Sequence, residues 1–327
     1  MFDRIYIENK AENYDLTKKV VSCFPKSELT YINHYKDVFD VGGQDFCAQK
    51  QAPSLILAVN DGRKIYPGAR PCQDFGHEHF HYTSQVKNCV YDCDYCFLRG
   101  MYPSGNIVIF FNYEDYFAEI DELLKSHPVY LSIAYDTDLL AFEGFTGLVE
   151  KWVAYAASRK DLLIELRTKC SSQKVVSIIK RYGCRNMILA ITLSPDNFTK
   201  KFEHGTGSFS ARLALATAAL SEGIRTRLCF DPVFPVKDFE AVYGDMINQV
   251  FANDLLKQVE DISVGTFRIS SGYLKRMRRT ALSPLTAYPY EIKEGMATFD
   301  DATLKFMFDF MGKKLAEYTD PAKVFFQ

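Results

Sequence analysis

The stretch Asn88-Cys89-Val90-Tyr91-Asp92-Cys93-Asp94-Tyr95-Cys96-Phe97-Leu98-Arg99-Gly100 carries three cysteines at a C-x3-C-x2-C spacing. Three thiolates on one short loop can bind three corners of an iron–sulfur cubane, and no fourth cysteine in the loop fills the last corner. Such clusters otherwise take four cysteines, so the open iron would be a coordination site for a substrate or cofactor. The alternatives are a structural zinc site, which wants a fourth Cys or His close by, and three incidental thiols. Cys23, Cys47, Cys72, Cys170, Cys184 and Cys229 are scattered and lack the spacing of an auxiliary cluster; most of them read as buried apolar thiols. Nine cysteines, an odd number in a long chain, argue against a disulfide framework and for metal or redox chemistry. His77, His79 and His81 recur at period two and could ligate a metal, but they read as polar histidines at a barrel edge.

These residues need a scaffold, and the 327-residue chain is long enough for one barrel-sized domain with appendages. Hydrophobic residues at 47% and charged residues at 24% describe a globular protein with a large core and exclude disorder. From about Phe80, short apolar strands alternate with amphipathic helices, the pattern of βαβ units. Strands are expected at Tyr82 to Val86, Val129 to Ala134, Leu162 to Arg167, Met187 to Thr192, Thr226 to Phe230 and Ile262 to Phe267. Helices are expected near 114–126, 146–158, 172–182, 208–222 and 238–252. The fold class is therefore α/β, a partial (β/α)6 barrel of TIM type, because the chain ends before two further units are supplied. Its expected limits are residues 76–284. A small α/β segment precedes it at 1–75, with strands at Arg4 to Glu8 and Ser54 to Val59, a helix at Leu16 to Phe24, and a linker marked by Pro67-Gly68 and Pro71. A helical extension at 285–327, with a helix over Ala302 to Tyr318, covers the barrel. The cysteine loop follows the first barrel strand directly, at the end where active sites open.

With Tyr95 immediately before the last cysteine, the motif resembles the CxxxCxxC loop of the radical S-adenosylmethionine (SAM) superfamily. The resemblance implies a [4Fe–4S] cluster on Cys89, Cys93 and Cys96, with SAM chelating the fourth iron and being cleaved reductively to a 5′-deoxyadenosyl radical. Further segments are similar, in the same order, to the spore photoproduct lyase family, radical SAM enzymes that revert a methylene-bridged thymine dimer in DNA. They are Ser54 to Val59, the loop through Arg99, Tyr135-Asp136-Thr137-Asp138, Arg167-Thr168-Lys169, Lys201 to Thr206 with Arg212, and Phe267-Arg268-Ile269-Ser270. That likeness implies that Asp136, Thr137 and Asp138 meet SAM, that Lys169 contacts its carboxylate, and that Thr192, Ser194 and Asp231 line the same site. Glu203 and Arg212 would pair to fix the loop.

The chain departs from the family where the substrate radical is quenched. The family's hydrogen-donating cysteine aligns with Tyr135, and the tyrosine after the last cluster cysteine is Phe97. A phenol also donates hydrogen atoms, so Tyr135 with Tyr95 would form a shorter relay, or Cys229, two residues before Asp231 on the same strand face, would substitute. Otherwise Tyr135 only lines the pocket.

The net charge of −2 offers no global field for nucleic acid. The local run Lys275, Arg276, Arg278 and Arg279, next to Tyr273, offers phosphate contacts and a stacking ring. The expected activity is hydrogen abstraction on a DNA pyrimidine lesion or a nucleotide-like substrate, with a flavodoxin- or ferredoxin-type electron donor. No secretory signal or membrane span is legible at the charged start, so a cytoplasmic enzyme is expected. The rival readings are a radical SAM enzyme of the same ancestry acting on another nucleobase, nucleoside or peptide, and a nucleic-acid-binding protein with a structural cluster.

Overall fold

Six parallel strands form the centre of the computed structural model, which describes residues 2–69, 72–280 and 283–327. They are Phe80–Thr83, Val129–Ser132, Leu162–Thr168, Met187–Thr192, Thr226–Val233 and Asp261–Thr266, and they lie side by side in chain order. Each parallel neighbour needs a crossover. The helices Tyr113–Leu124, Leu148–Ala157, Lys174–Tyr182, Phe209–Ser221 and Phe239–Phe251 lie on the crossovers between strands. The pattern in the residues explains both element types. Every side chain of Met187–Thr192 is buried, as a strand covered on both faces requires. Lys174–Tyr182 buries only Val175, Val176, Ile178 and Ile179 and ends at Gly183 in the left-handed region.

The sheet does not close. Ile65–Pro67 adds an antiparallel edge beside Phe80–Thr83, and Val324–Phe326 adds a parallel one beside Asp261–Thr266. Pro67 is therefore an edge-strand residue, where a missing N–H is tolerated, and not a linker; Pro71 lies outside the described residues. The strand expected over Tyr82 to Val86 is two strands. Phe80–Thr83 belongs to the barrel, while Val86–Lys87 turns away and pairs antiparallel with Ile107–Phe110.

That pairing joins the N-terminal layer to the barrel. A second sheet runs in the order Glu28–Ile32, Arg4–Glu8, Leu55–Ala58, Ile107–Phe110, Val86–Lys87. Two of its strands come from beyond residue 75, so the N-terminal segment is not self-contained, and the cysteine loop is flanked on both sides by strands of this sheet. At the other end, Asp301–Leu315 buries Met307, Met311 and Leu315, and Phe306 and Phe310 pack on Phe239 at 5.3 and 5.6 Å.

The barrel end opposite the mouth is closed by a buried ion network. Arg227 donates to Asp261 (2.8 Å), to the Tyr130 hydroxyl (2.6 Å) and to Glu165, and its guanidinium lies 3.2 Å from the Phe75 ring centroid. Burial pushes the Glu165 carboxyl up, but Arg167 and Arg227 outweigh it and hold the group below its ordinary value. Arg227→Met would leave the buried Asp261 carboxylate without its bonded cation and Glu165 with Arg167 alone. The expected cost is about 3–5 kcal/mol in urea unfolding at neutral pH. Because the folded Glu165 pKa is depressed in the native protein, the contribution exists above the unfolded value and fades as pH falls through the folded one; the gap between wild type and variant should narrow in acid.

Candidate active site

The cysteine loop has little regular structure of its own, so its neighbours impose its shape. Asn88 enters it at φ 71°, a conformation Asn tolerates better than most residues. Its carboxamide fixes that turn, donating to the carbonyls of Ser104 (2.9 Å) and Asn106 (3.0 Å) and accepting from Cys89 N (2.9 Å). Lys50, on the helix Phe46–Gln51, donates to the carbonyls of Cys89 and Tyr91. Asp92 and Cys93 pair antiparallel with His204 and Glu203. Asp94 accepts from Ser283 Oγ at 2.7 Å and lies 3.6 Å from Arg99. Lys50 and Ser283 carry no signal in the sequence, since each reaches the loop from a distant segment.

Beneath the loop sits a buried polar cluster. Tyr95 donates its hydroxyl hydrogen to Glu203, which also accepts from Ser194 Oγ (2.9 Å) and Arg212 Nη2 (2.5 Å). Arg212 further donates to the carbonyls of Gly207 (2.7 Å) and Thr192 (3.1 Å). The Glu203 and Arg212 side chains are both 0% exposed. Burial pushes Glu203 up, but Lys169 and Arg212 more than cancel it, so the carboxyl stays below its usual range. Ser194, Glu203 and Arg212 thus bind one another and the loop, and act as positioning residues.

Cys89 and Cys93 are buried and Cys96 nearly so. Burial pushes all three thiols up, Cys89 to about 11, so thiolates here need compensating positive charge. Iron supplies such charge, and three thiols on one loop match a cubane with one open corner. No three His, Cys, Asp or Glu side chains among the described residues are placed to share a single ion. His77 stacks on Tyr130 (4.4 Å) while His79 stacks on His127 (3.8 Å), so the three histidines do not converge.

The residues expected to meet SAM fall into two groups. Asp138 accepts from Thr168 Oγ1 (2.8 Å) and from the amides of Lys169 (2.6 Å) and Cys170 (3.2 Å). Both its oxygens are occupied, and its work is to fix the loop that carries Lys169. Asp231 is likewise tied to Arg167 (3.1 Å) and Arg268 (3.6 Å). Asp136 Oδ1 and Thr137 Oγ1, in contrast, are buried and have no hydrogen-bond partner among the described residues. A buried oxygen left in that state costs about 1–3 kcal/mol until a ligand meets it. The Lys169 ammonium lies 5.7 Å from the Tyr95 ring centroid and makes no hydrogen bond or ion pair among the described residues. A cation and two unsatisfied oxygens beside the three-thiol loop suit a ligand with a carboxylate, an amine and a sugar diol.

Tyr135 does not meet Tyr95. No ring contact or hydrogen bond joins them among the described residues, and the Tyr95 hydroxyl is engaged by Glu203. Cys229 is fully buried on the fifth strand, where the charges that act on it are Arg167, Glu165, Arg227 and Asp231. The thiol beside Tyr135 is Cys72, whose Sγ–H donates to the phenolic oxygen at 3.7 Å. Tyr135 also stacks on Tyr82 at 4.0 Å. The expectation that the outlying cysteines are mostly buried fails: Cys23 is exposed, Cys47, Cys72 and Cys170 are partly so, and only Cys184 and Cys229 are buried.

The basic run lies on the helix Ser271–Thr280, packed so closely on the cluster helix Leu98–Met101 that a Cβ at Gly100 would sit 2.3 Å from the Tyr273 carbonyl oxygen. Arg276 donates to Gly100 O and covers the Tyr273 ring at 4.9 Å. Arg278 donates to the carbonyls of Thr286 and Tyr288, each at 2.7 Å. Half of the run therefore braces the fold. Lys275 and Arg279 are exposed and make no hydrogen bond or ion pair among the described residues.

An open six-stranded barrel with a three-thiol loop, an unpaired lysine and unsatisfied oxygens at its mouth defines a radical SAM enzyme. The profile described as spore photoproduct lyase matches residues 1–283, and the chain belongs to that family. It is 19% identical over 274 residues to the spore photoproduct lyase of Geobacillus sp. (strain Y412MC61), covering 81% of this chain and 76% of that protein. A solved spore photoproduct lyase complexed with dinucleoside spore photoproduct superimposes with a TM-score of 0.83 at 16% identity, covering 100% of this chain and 99% of that one. Streptococcus suis SuiB bound to S-adenosylmethionine gives 0.51 at 11% identity, over 76% of this chain and 50% of its own. Among the described residues no helix is long and apolar enough to cross a membrane.

Replacing Cys89, Cys93 or Cys96 by Ala should abolish iron incorporation and visible absorbance in protein handled without oxygen, whereas Cys72→Ala and Cys229→Ala should keep both. Lys50→Met should fold yet hold less iron per chain, because two loop carbonyls lose their donor; full incorporation would show that the bracing is dispensable.

Proposed function

We propose that this chain is a radical SAM lyase that takes a hydrogen atom from a DNA pyrimidine lesion of the spore photoproduct type and returns one after the cross-link breaks. The observation that carries the second half is the Cys72–Tyr135 pair. When bound and reduced, the cluster and SAM supply a 5′-deoxyadenosyl radical. Cys89, Cys93 and Cys96 would hold the cluster, and Lys169, Asp136 and Thr137 would orient SAM, with Thr192 nearby as the carbonyl anchor of Arg212. A relative in the same family is solved with dinucleoside spore photoproduct, which supports the choice of lesion. A flavodoxin- or ferredoxin-type protein would deliver the electron, which suits a cytoplasmic setting, and exposed Lys275 and Arg279 would hold backbone phosphates.

A lyase that re-forms a C–H bond needs a hydrogen-atom donor that is protonated. Burial first, and then Cys72, pushes the Tyr135 phenol far up, and burial likewise raises the Cys72 thiol. Both therefore keep their hydrogens at neutral pH. The Cys72 hydrogen points at the phenolic oxygen, which leaves the Tyr135 O–H free to face substrate. In the proposed order Tyr135 would give hydrogen to the substrate radical, Cys72 would restore the phenol, and 5′-deoxyadenosine would be the source that returns hydrogen to Cys72. The hydrogen count then closes with no outside oxidant.

Reduced, cluster-loaded enzyme should form 5′-deoxyadenosine and restore thymine on both sugars of the dinucleoside lesion. In D2O, exchange at the O–H and S–H groups should place deuterium in that thymine. Tyr135→Phe should lower thymine yield by at least tenfold, and Cys72→Ala should let the first turnover pass but slow later ones. Unchanged yield and label in both variants would remove the pair from the reaction. SAM cleavage without thymine restoration would favour another nucleobase, nucleoside or peptide substrate, and no SAM cleavage at all would favour a binding protein.

A further inference from the structure

Between the barrel mouth and the N-terminal sheet lies a cleft of about 620 Å³, whose outer part the chemistry above does not use. Tyr135 and Asp136 form its inner end, and Tyr35, Lys36, Tyr66 and Lys87 line the way out. Tyr82 connects the two: it stacks on Tyr135 at 4.0 Å and on Tyr66 at 5.3 Å, the latter with the ring planes only 20° apart. The result is an aromatic shelf running outward from the reacting centre.

The charges in the cleft are unusually placed. The ammonium groups of Lys36 and Lys87 lie 5.9 and 5.5 Å from the centroid of the same Tyr35 ring. Neither makes a hydrogen bond or ion pair among the described residues, and Lys87 is half-buried on its strand. Burial first, and Lys36 among its neighbours, lowers the Lys87 pKa, while Asp136 and Asp40 oppose that shift. Asp61, the other carboxylate on the wall, is held by Lys10. At the inner end, Asp136 uses Oδ2 to accept from Ser84 (2.5 Å) and Tyr102 (2.8 Å), and leaves Oδ1 buried without a donor.

Two unpaired cations beside the Tyr35 ring and a shelf of flat rings match two parts of one ligand. The cations fit a phosphate and the rings fit a base. We propose that this cleft is a nucleotide subsite, seating the nucleotide that flanks the reacting pair in the DNA strand. Its phosphate lies between Lys36 and Lys87, and its base lies against Tyr66. The assignment to a flanking nucleotide rests on the proposed DNA reading; the nucleotide chemistry of the cleft does not.

The test uses fluorescence anisotropy with reconstituted enzyme and four probes: the bare dinucleoside lesion, a tetranucleotide carrying that lesion between two thymidines, undamaged tetrathymidylate, and free thymidine 5′-monophosphate. Wild type should bind the tetranucleotide more tightly than the bare lesion and the free nucleotide weakly. Tyr66→Ala should weaken tetranucleotide binding by about tenfold, the effect of losing one base–aromatic stack, while Tyr66→Phe retains it. Lys36→Gln with Lys87→Gln should reduce the salt dependence by about one to two counterions' worth. All these variants should bind the bare lesion as wild type does. Equal loss for both lesion probes, or no loss for the tetranucleotide, overturns the subsite. Tight binding of free nucleotide that the same variants abolish would overturn the strand assignment. If wild type ignores the lesion but binds an undamaged tetrathymidylate through these residues, the subsite stands and the lesion reading falls.

Discussion

Glu203 is a carboxylate with no access to water, and the shape of the cysteine loop follows from how it is kept charged. Removing such a group from solvent costs several kcal/mol unless its lone pairs are met. Here they are met by the Tyr95 and Ser194 hydroxyls and by Arg212, whose remaining N–H groups go to the Gly207 and Thr192 carbonyls. Each partner comes from a different part of the barrel mouth, and the Glu203 backbone itself pairs with Cys93. A shift of any one of them leaves a charge or a donor unsatisfied in a dry place. The loop is therefore held in one arrangement by the penalty for every other, which is what a three-point ligand set requires of a segment with almost no ladder or helix of its own.

Desolvation acts on both sets of cysteines but serves opposite ends. It raises Cys89, Cys93 and Cys96, which would have to lose their protons to bind iron, and it raises Cys72, which in the proposed relay keeps its proton to give up a hydrogen atom. What separates them is neighbouring charge. The loop thiols feel Lys50 or Lys169 and would also share the positive charge of iron, whereas Cys72 feels Arg268 and Arg167 against Asp231 and has the neutral Tyr135 phenol as its hydrogen-bonded neighbour. The two proposed roles, metal-binding and hydrogen-donating, would thus differ through surroundings, with the same side chain at both places.

Local patterns were readable where a few consecutive residues decide the outcome. The six strands and five helices of the barrel stand within a few residues of their apolar periodicity, because strands buried on both faces and helices with one buried face leave strong local marks. Ile107–Phe110 and Val324–Phe326 leave weaker ones. Each is three or four residues long, lacks alternation, and becomes a strand only through a partner far off in the chain. The site divides in the same way. Cys89, Cys93 and Cys96 are legible as a spacing, while Cys72 is a lone cysteine in an irregular stretch whose partner Tyr135 is 63 residues away. Asp138 and Asp231 show the converse. Their type and place suit a ligand, yet the fold uses them internally, and no sequence pattern distinguishes an occupied carboxylate from a free one.

The basic residues sharpen that point about charge. A chain with net charge −2 cannot draw in DNA through its overall field, so any recognition has to come from cations that the fold leaves unpaired. Four in five residues at 275–279 look like the place, but Arg276 and Arg278 are consumed by backbone carbonyls, one of them bracing the cluster helix. Lys36 and Lys87 are far apart in sequence and form no run, and yet both ammonium groups gather at Tyr35 with no carboxylate bonded to either. Density of charge along the chain is thus a poor guide to binding in this molecule. The better guide is a buried or half-buried polar group without a partner, since the folded protein pays for it in stability and only a ligand returns the difference. By that criterion Asp136 and Thr137 mark the cofactor's side of the mouth and Lys87 marks the cleft beside it along the N-terminal sheet, where the substrate strand should lie.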